Sequence, residues 1–422
     1  MRKIAKSVIA FACSLFLAIP LAGCSKTAEG VTEIEIVQYK PEAAAYFEKV
    51  EKAFNEQHKD IHLTIYSPND AATVLKTRFI REDYPDIIGI GGDINYSYYV
   101  DAGILADISD YQGVKEINPA YLAIDEALKI VPVEGVYALP YAANAAGILY
   151  NKDLFDQYGW EIPTNWEELM SLCEEIQSDG VLPFYFGFKD IWTCLAPWNA
   201  MAVSLSDTDT AKQVNRGETT FSKAYRELAE KYIQILDYGP KNPFAYNYND
   251  ACTAFARQEA AMFTIGSYAI PQILSVNPDL NLDSFVLPAS ESSEGNVLNS
   301  GIDLQFYVTA ECKNREAAYE VLDFLYQDEN IQDYINEQTA IPCKSGEFEI
   351  SPKLNSMKPY IEEGRMADFH DHYYPSEMAA DALLQTYLIK KDTDQFLSNW
   401  DKIWPRYNRD IIRAMEKYEE EN

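Results

Sequence analysis

Cysteine and histidine are scarce in this chain of 422 residues, which has seven and four of them. Beyond the N-terminal segment that holds Cys13 and Cys24, the cysteines lie far apart and form no CxxC pair: Cys173, Cys194, Cys252, Cys312 and Cys343. An odd number of widely spaced cysteines fits neither a disulfide framework nor a zinc site. We therefore expect buried free thiols at all of these positions.

The sequence signatures of several enzyme classes are also missing. The chain contains no GxSxG turn, no GxxxxGK[ST] loop, no GxGxxG turn and no HExxH segment. These patterns place a nucleophilic serine, a nucleotide phosphate or a catalytic zinc ion in other proteins. Their absence argues against those enzyme classes, and we expect neither a cofactor nor a metal ion.

Basic residues are outnumbered by acidic ones, 35 against 66, and the formal net charge is −31 at pH 7. Such a charge repels nucleic acids and anionic membrane surfaces. It favours an uncharged or cationic ligand. The same acidity also fits a secreted protein whose charges only keep it soluble.

A long apolar run occurs only near the N-terminus. Arg2, Lys3 and Lys6 precede the apolar residues 8 to 22, a run of about 15 residues that is shorter than the roughly 20 needed to span a bilayer. This arrangement is typical of a signal peptide, here residues 1–23, and an uncleaved membrane helix is the alternative. The LAGC sequence ending at Cys24 resembles the lipobox of bacterial lipoproteins. We therefore expect a lipid on Cys24, a linker over residues 24–30, and an extracytoplasmic location at the cell membrane.

The first half of the chain alternates predicted strands and helices. Residues 31–37, 61–65 and 84–90 have strand patterns, and residues 135–151 predict two more strands. Phe47, with Val50 and Phe54, has helical spacing. Residues 164–167 resemble a capping box that opens another helix. This order predicts an α/β fold with parallel sheets flanked by helices.

The second half is predicted to be mostly helical. Strand-like stretches interrupt it at residues 281–287 and 305–309, and Asn314 is a candidate helix cap. Residues 378–418 predict a helical tail in which Trp400 and Trp404 are four residues apart and dock on the rest of the protein.

The segment FHDHYYP, residues 369–375, raises the question of metal binding because His370 and His372 are two residues apart. Zinc needs three or four converging ligands, and the other histidines, His58 and His62, have no such partners in the sequence. A glycoside hydrolase with two loop carboxylates is harder to exclude, because sequence does not reveal their separation. The candidates for such a pair are Asp70, Asp93, Asp303 and Asp371.

Aromatic residues are abundant: 30 Tyr, 19 Phe and 6 Trp make up 13% of the chain. A sugar presents a CH face that stacks on an aromatic ring and hydroxyls that hydrogen-bond to polar side chains. The aromatics in predicted loops are therefore candidate sugar contacts, although each could equally serve ordinary packing: Tyr141, Trp192, Trp198, Tyr246, Tyr248, Tyr268, Phe369, Tyr373 and Tyr374.

Four segments together resemble family 1 of the extracellular solute-binding proteins, the sugar receptors of ABC-type importers. The most characteristic one is LPYAANAAGILYNKDLFDQYG followed by PTNWEEL, within residues 139–169. YPDIIGIGG at 84–92, AFARQEAAMFTIGSYAI at 254–270 and AIPCKSG at 340–346 follow the order of the family. The resemblance covers essentially the whole chain after the signal peptide.

The resemblance implies a two-lobed clamp of the type II periplasmic-binding-protein kind, with a mainly parallel sheet flanked by helices in each lobe. It places residues 31–142 and 304–345 in lobe 1, and residues 146–300 and 350–422 in lobe 2. The ligand would bind in the cleft between the lobes, and the closed form would contact it from both sides.

The resemblance also implies a set of ligand contacts, similar to those of the branch that binds raffinose-type α-1,6-galactosides. Trp192 and Phe369 would stack on sugar rings, and Asp303 and Asp371 would accept hydrogen bonds from sugar hydroxyls. His372 would donate, whereas His370 would face away if the loop is extended. The complete predicted set is Lys40, Asp93, Asn144, Trp192, Trp198, Tyr268, Asp303, Phe369, Asp371 and His372.

These expectations describe a monomeric, non-enzymatic receptor that binds an oligosaccharide and delivers it to the permease subunits of an ABC-type importer. It would reach the membrane through the lipid on Cys24 and bind no nucleic acid. A secreted glycoside hydrolase remains an alternative, as does a receptor for iron or for a polyamine.

Overall fold

The computed structural model describes residues 30–421. The predicted signal peptide at 1–23, the lipid on Cys24 and all of the 24–30 linker except Gly30 lie outside the described residues. Within residues 30–421, no helix combines the length and the apolar character needed to cross a membrane.

The strands of the described chain belong to one mixed sheet with the order β2-β1-β3-β7-β4-β5. Two further strands, β6 and β8, pair with β4, and β9 pairs with β7. Their bounds are β1 Thr32–Gln38, β2 Ile61–Tyr66, β3 Ile87–Ile90, β4 Leu139–Asn151, β5 Met262–Gly266, β6 Leu282–Phe285, β7 Leu298–Val308, β8 Ile341–Pro342 and β9 Met366–Ala367.

Helices cover both faces of the sheet. Those of the first half are α1 Ala44–Gln57, α2 Ala71–Ile80, α3 Ile94–Asp101, α4 Pro119–Leu128, α5 Lys152–Tyr158, α6 Trp166–Ser178 and α7 Leu195–Leu205. Those of the second half are α8 Thr210–Asn215, α9 Phe221–Ala224, α10 Arg226–Leu236, α11 Tyr248–Ala256, α12 Ala269–Val276, α13 Arg315–Leu325, α14 Asp328–Gln338, α15 Lys358–Glu362, α16 Ala380–Lys390, α17 Thr393–Tyr407 and α18 Arg409–Glu421.

The parallel pairing expected for each lobe is found mainly at one end of the sheet, with a further short parallel pair between β7 and β9. Strands β1, β2 and β3 pair in parallel, because helices α1 and α2 carry the chain back between them. In contrast, β3 pairs antiparallel with β7, and β4 pairs antiparallel with β5, β6 and β7. The expectation of a mainly parallel sheet in the second lobe is therefore corrected to an antiparallel one.

Where two strands were predicted within residues 135–151, the structure has one, β4 at Leu139–Asn151. The pairing of β4 with β7 shifts register between Pro140 and Ala142 and again between Ala142 and Ala143. Such bulges absorb an irregular stretch without ending the strand. Strand β4 therefore continues for 13 residues, pairing with β7 along its first part and with β5 and β6 along its second.

The predicted helix ends are close to the observed ones. Helix α6 is capped by Asn165, whose side chain accepts the N–H of Glu168, so the cap lies one residue later than the predicted box. Asn314 precedes α13 as expected, but its side chain makes no capping hydrogen bond. The predicted helical tail consists of α16, α17 and α18, and both Trp400 and Trp404 are buried.

Two large groups of apolar side chains form most of the interior. One packs α1, α13 and α14 against the parallel end of the sheet, and the other packs α6, α7, α10 and α17 together. The five predicted thiols are free and buried, as expected. The boundaries of the two lobes, 31–142 with 304–345 and 146–300 with 350–422, stay a prediction.

Candidate functional site

A cleft of about 830 Å³ is bordered by the residues that follow β1, by the middle of β4 and of β7, by the start of α7 and α12, and by Phe369, Asp371 and His372. This volume is within the range of about 300 to 1,000 Å³ that is usual for small-ligand sites. Eight of the ten predicted contacts line it: Lys40, Asn144, Trp192, Tyr268, Asp303, Phe369, Asp371 and His372.

A buried ion pair lies on one side of the cleft. The Nζ atom of Lys40 is 2.6 Å from Oδ2 of Asp303, and Nδ2 of Asn144 donates to Oδ1 of the same carboxylate at 3.3 Å. Burial opposes the charge of Lys40, but the Asp303 carboxylate raises the pKa of this amine above its ordinary value. The hydroxyl of Tyr39 donates to the backbone carbonyl of Asp303. The carboxylate of Asp303 is thus held in place by Lys40 and Asn144.

Another part of the cleft wall is formed by a 3-10 turn, His370–Tyr373, together with the residues just before it. The ring of Phe369 stacks on His372, with ring centroids 5.0 Å apart. Nδ1 of His372 is 2.8 Å from Oδ1 of the buried Asp368, and Asn199 Nδ2 donates to Oδ1 of Asp371 at 2.9 Å. Each polar group that faces the cleft here is oriented by a partner behind it.

The carboxyl and imidazole groups of this turn have perturbed pKa values. Burial raises the pKa of Asp371 to about 6, although the His372 cation and the Asn199 amide act in the opposite direction. For His372, burial by itself would lower the pKa, but the Asp368 carboxylate raises it to about 9. Near pH 7, His372 is therefore protonated and Asp371 is mostly ionised, so the turn offers both a charged donor and a charged acceptor.

Aromatic rings form a third side of the cleft. Trp192 is 41% exposed, and its ring centroid is 5.1 Å from that of Tyr248 and 6.1 Å from that of Tyr268. A partly exposed tryptophan beside two other aromatic rings offers a flat apolar face on which a ligand can stack. The exposed ring of Trp192 is therefore the best candidate for stacking on a flat apolar face.

Two glycines allow the close packing of these sides. A Cβ atom on Gly301 would lie 2.2 Å from Oδ1 of Asp368 and 2.7 Å from the ring of Phe369. A Cβ atom on Gly266 would lie 2.2 Å from the ring of Tyr268. Without side chains at these two positions, β7 and β5 approach the turn and the aromatic ring directly.

Two predicted contacts lie elsewhere. Trp198 is wrong as a ligand contact: it is fully buried in α7, donates to the Tyr374 hydroxyl at 3.2 Å and stacks on Trp400. Trp198 was predicted to lie in a loop, but it belongs to helix α7, whose packing places its ring in the interior. Asp93 caps α3 and lines a smaller hollow beside the cleft, where His372 also lies.

The two neighbouring histidines separate as expected, but for a different reason. His370 is buried, and its Nδ1 atom is 3.0 Å from the hydroxyl of Tyr225. The segment is a 3-10 turn, so the expected alternation of an extended loop is wrong. Within the described part of the chain, no three His, Cys, Asp or Glu side chains are grouped to hold a metal ion.

Sequence reasoning missed several residues that line the cleft. Tyr39 directly precedes Lys40, and its hydroxyl supports Asp303. Asn199 follows Trp198 in a helix, and only its contact with Asp371 reveals its role. Glu42, whose Oε1 atom is 3.3 Å from Lys40 Nζ, and Glu337 add acidic groups to the cleft. The position of Tyr39 beside Lys40 at a strand end was a usable signal, whereas Asn199 carried none.

The sequence of this chain is similar to those of known bacterial binding proteins. The profile described as "Bacterial extracellular solute-binding protein" matches residues 39–332. The Multiple sugar-binding protein of Streptococcus mutans is 28% identical over 330 residues, which are 74% of this chain and 77% of that protein. The Melibiose/raffinose/stachyose-binding protein MelE of Bacillus subtilis is 23% identical over 66% of this chain and 65% of its own.

A solved structure with the same fold is that of the solute-binding protein RafE in complex with raffinose. Its TM-score is 0.77, with 24% identity over 89% of this chain and 100% of that chain. This similarity confirms the clamp fold expected from the sequence.

Proposed function

Since this chain belongs to the bacterial extracellular solute-binding proteins, we propose that it is an extracytoplasmic receptor that binds an oligosaccharide for an ABC-type importer. The observation that carries this proposal is the combination of an exposed Trp192 ring with ionised and polar groups on the other sides of one cleft. Rings stack on the CH faces of sugars, and the polar groups bind hydroxyls.

The ligand contacts are proposed for the residues that the cleft brings together. Asp303 and Asp371 accept hydrogen bonds from sugar hydroxyls, and Lys40 and His372 donate hydrogen bonds to them. The ring of Trp192 stacks on the CH face of a sugar ring. The charge-assisted hydrogen bonds of such a site contribute roughly 1.5 to 3 kcal/mol each, because a partly enclosed cleft screens charge less than water does. Phe369, Tyr268 and Asn144 complete the proposed set.

The proposed ligand class is the raffinose-type α-1,6-galactosides. Two observations support it: MelE is named for melibiose, raffinose and stachyose, and RafE has been solved with raffinose. The S. mutans relative is named more broadly, for multiple sugars. The receptor would be anchored through Cys24 and would pass its ligand to permease subunits without changing it.

The test is a thermal-shift screen of the purified protein against mono- and oligosaccharides, followed by calorimetry. A sugar at 100 times its dissociation constant stabilises the protein by about 2.7 kcal/mol. Product analysis after prolonged incubation separates the receptor, which returns the sugar intact, from the glycosidase alternative. No shift with any sugar would overturn the proposal.

Calorimetry of Asp303→Ala tests the site itself. We expect affinity to fall by about tenfold or more, because the variant removes an acceptor and leaves the buried Lys40 without its nearest partner. The matched control is Asp279→Ala, an exposed carboxylate outside the cleft. An unchanged affinity in Asp303→Ala would contradict the site.

A further inference from the structure

Two buried side chains flank the part of the chain that presents Asp371 and His372 to the cleft. His370 directly precedes these two residues, and Tyr374 lies just beyond them. Both flanking side chains are buried, and neither lines the cleft. Each makes a hydrogen bond to the same hydroxyl group, that of Tyr225, which is fully buried between helices α9 and α10.

These side chains belong to a chain of hydrogen bonds with one direction. The indole N–H of Trp198 can only donate, and it donates to the Tyr374 hydroxyl at 3.2 Å. The Tyr374 hydroxyl donates to the oxygen of Tyr225 at 2.9 Å, so the Tyr225 hydrogen is left for Nδ1 of His370, 3.0 Å away. Burial lowers the pKa of His370 to about 4, so near pH 7 the ring is neutral and Nδ1 can accept.

The Tyr225 hydroxyl therefore joins the two ends of the segment 370–374. The backbone N–H of Tyr374 also donates to the carbonyl of Asp371 at 3.0 Å, which closes the segment from within. A bridge between the ends of a short segment restricts its backbone, because neither end can move without breaking a buried hydrogen bond.

This bridge differs from the contacts that orient single side chains of the site. Asn199 donates to the Asp371 carboxylate, and Asp368 pairs with the ring of His372. Each of those partners acts on one side chain. Tyr225 acts on the backbone that carries both Asp371 and His372.

The stability of the interior does not account for a histidine at position 370. Its Nε2 atom is buried and has no hydrogen-bond partner in the described part of the chain. Leaving a buried ring nitrogen unpaired costs free energy, and a leucine at this position would avoid that cost. The hydrogen bond from Tyr225 is what the imidazole adds.

We propose that Tyr225 and His370 are positioning residues of the binding site, which hold the segment 370–374 in the conformation that presents Asp371 and His372 to the sugar. This inference rests on the proposed function and adds two residues that do not touch the ligand. Without their hydrogen bond, a smaller fraction of the protein has the competent segment, and the apparent affinity falls with that fraction.

Tyr225→Phe removes the shared hydroxyl with almost no change in shape. Calorimetry with raffinose, or with the sugar that binds most tightly in the thermal-shift screen if that is another, should show about fivefold weaker binding, the effect of one neutral hydrogen bond on the competent fraction. The matched control is Tyr387→Phe, because the Tyr387 hydroxyl is also buried and donates to the carbonyl of Ala229 at 2.8 Å, outside the cleft. Both variants should lower the urea midpoint, but Tyr387→Phe should bind the sugar like the unchanged protein.

Two substitutions of His370 test the hydrogen bond itself. The Oδ1 atom of asparagine can take the place of Nδ1 and accept from Tyr225, whereas leucine has no acceptor. We expect about fivefold weaker binding in His370→Leu and an affinity within about twofold of the unchanged protein in His370→Asn.

Three results would overturn the positioning role. They are an unchanged affinity in Tyr225→Phe, an equal loss of affinity in Tyr387→Phe, and a loss in His370→Asn as large as that in His370→Leu. The second result would mean that lost stability alone weakens binding. If the unchanged protein binds no sugar of the screen, the proposed function itself fails, and this inference fails with it.

Discussion

Two tryptophans six residues apart have opposite environments, and this difference gives a test at the scale of single residues. Trp192 is 41% exposed at the cleft, whereas Trp198 is fully buried against Trp400 and Tyr225. We expect Trp192→Ala to weaken sugar affinity by about tenfold or more with little change in the free energy of unfolding. Trp198→Ala should lower that free energy by roughly 3 to 5 kcal/mol, because it leaves a large cavity.

Chemical denaturation and calorimetry of both variants check this pair. Each variant serves as the control of the other, because the substitution is the same and only the burial differs. A strongly destabilised Trp192→Ala, or a fully stable Trp198→Ala with weakened binding, would contradict the assignment of the two rings.

Binding should depend on pH through the groups of the 369–372 turn. The pKa of Asp371 is raised to about 6 by burial, and that of His372 is raised to about 9 by Asp368. Acidification below pH 6 protonates Asp371 and removes an acceptor, while pH above 9 removes the positive charge of His372. Affinity should therefore be highest between these values and fall by about tenfold from pH 7.5 to 5.

Calorimetry across this pH range, repeated with Asp371→Asn, identifies the group. The variant should bind more weakly at pH 7.5 and lose most of the acidic dependence, with a remainder from Asp93, whose pKa is also raised by burial. Full acidic dependence in Asp371→Asn would refute the assignment.

Without ligand, the raised pKa of Asp371 means that its contribution to stability decreases as pH rises from about 4 to 6, since the native state keeps a proton that the unfolded state releases.

At the scale of elements, helix α6 begins at a cap that sequence reasoning located one residue too early. Asn165 Oδ1 accepts the N–H of Glu168 at 3.0 Å, and the Glu168 carboxylate accepts from the backbone and hydroxyl of Thr164. Asn165→Ala leaves the helix N–H without this partner, so we expect a loss of about 1 kcal/mol in the free energy of unfolding.

Urea denaturation measures this loss, and Ser171→Ala, at an exposed position within α6, is the matched control. Ser171→Ala should be neutral or slightly stabilising, because alanine favours the helix interior. Equal stabilities for the two variants would contradict the capping role. Sugar affinity should be unchanged in both, since neither residue lines the cleft.

Strands β4 and β7 explain why the site is assembled from distant parts of the chain. They pair with each other antiparallel, and they bring Asn144 and Asp303 together at the cleft. Local periodicity located both segments, but it contained no information on their mutual direction. The antiparallel pairing follows from contacts between residues about 160 positions apart, which no local pattern records.

At the scale of the whole molecule, closure of the proposed lobes around the ligand should make the protein more compact. Tyr39 and Lys40 of proposed lobe 1 line the cleft, as do Trp192, Tyr268 and Phe369 of proposed lobe 2, so a sugar bound there would contact both proposed lobes. Contacts made only in the closed state shift the population toward it. We expect small-angle X-ray scattering to show a smaller radius of gyration at saturating sugar.

Trp192→Ala is the control for this experiment, at a sugar concentration that saturates only the unchanged protein. Its radius of gyration should stay at the ligand-free value and decrease only when more sugar is added. A radius that does not change in the saturated, unchanged protein would contradict ligand-driven closure.

The sequence by itself determined the features that depend on local residue patterns or on family motifs. Strand and helix patterns predicted β1, α1 and β2, the resemblance predicted the clamp and eight of the residues that line the cleft, and the cysteine spacing predicted buried free thiols. Tertiary structure alone decided the direction of β4 against β7, the burial of Trp198 and the 3-10 turn that separates His370 from His372. Those features depend on long-range packing. Their free energy comes from contacts between segments that are far apart in the sequence, so no local pattern predicts them.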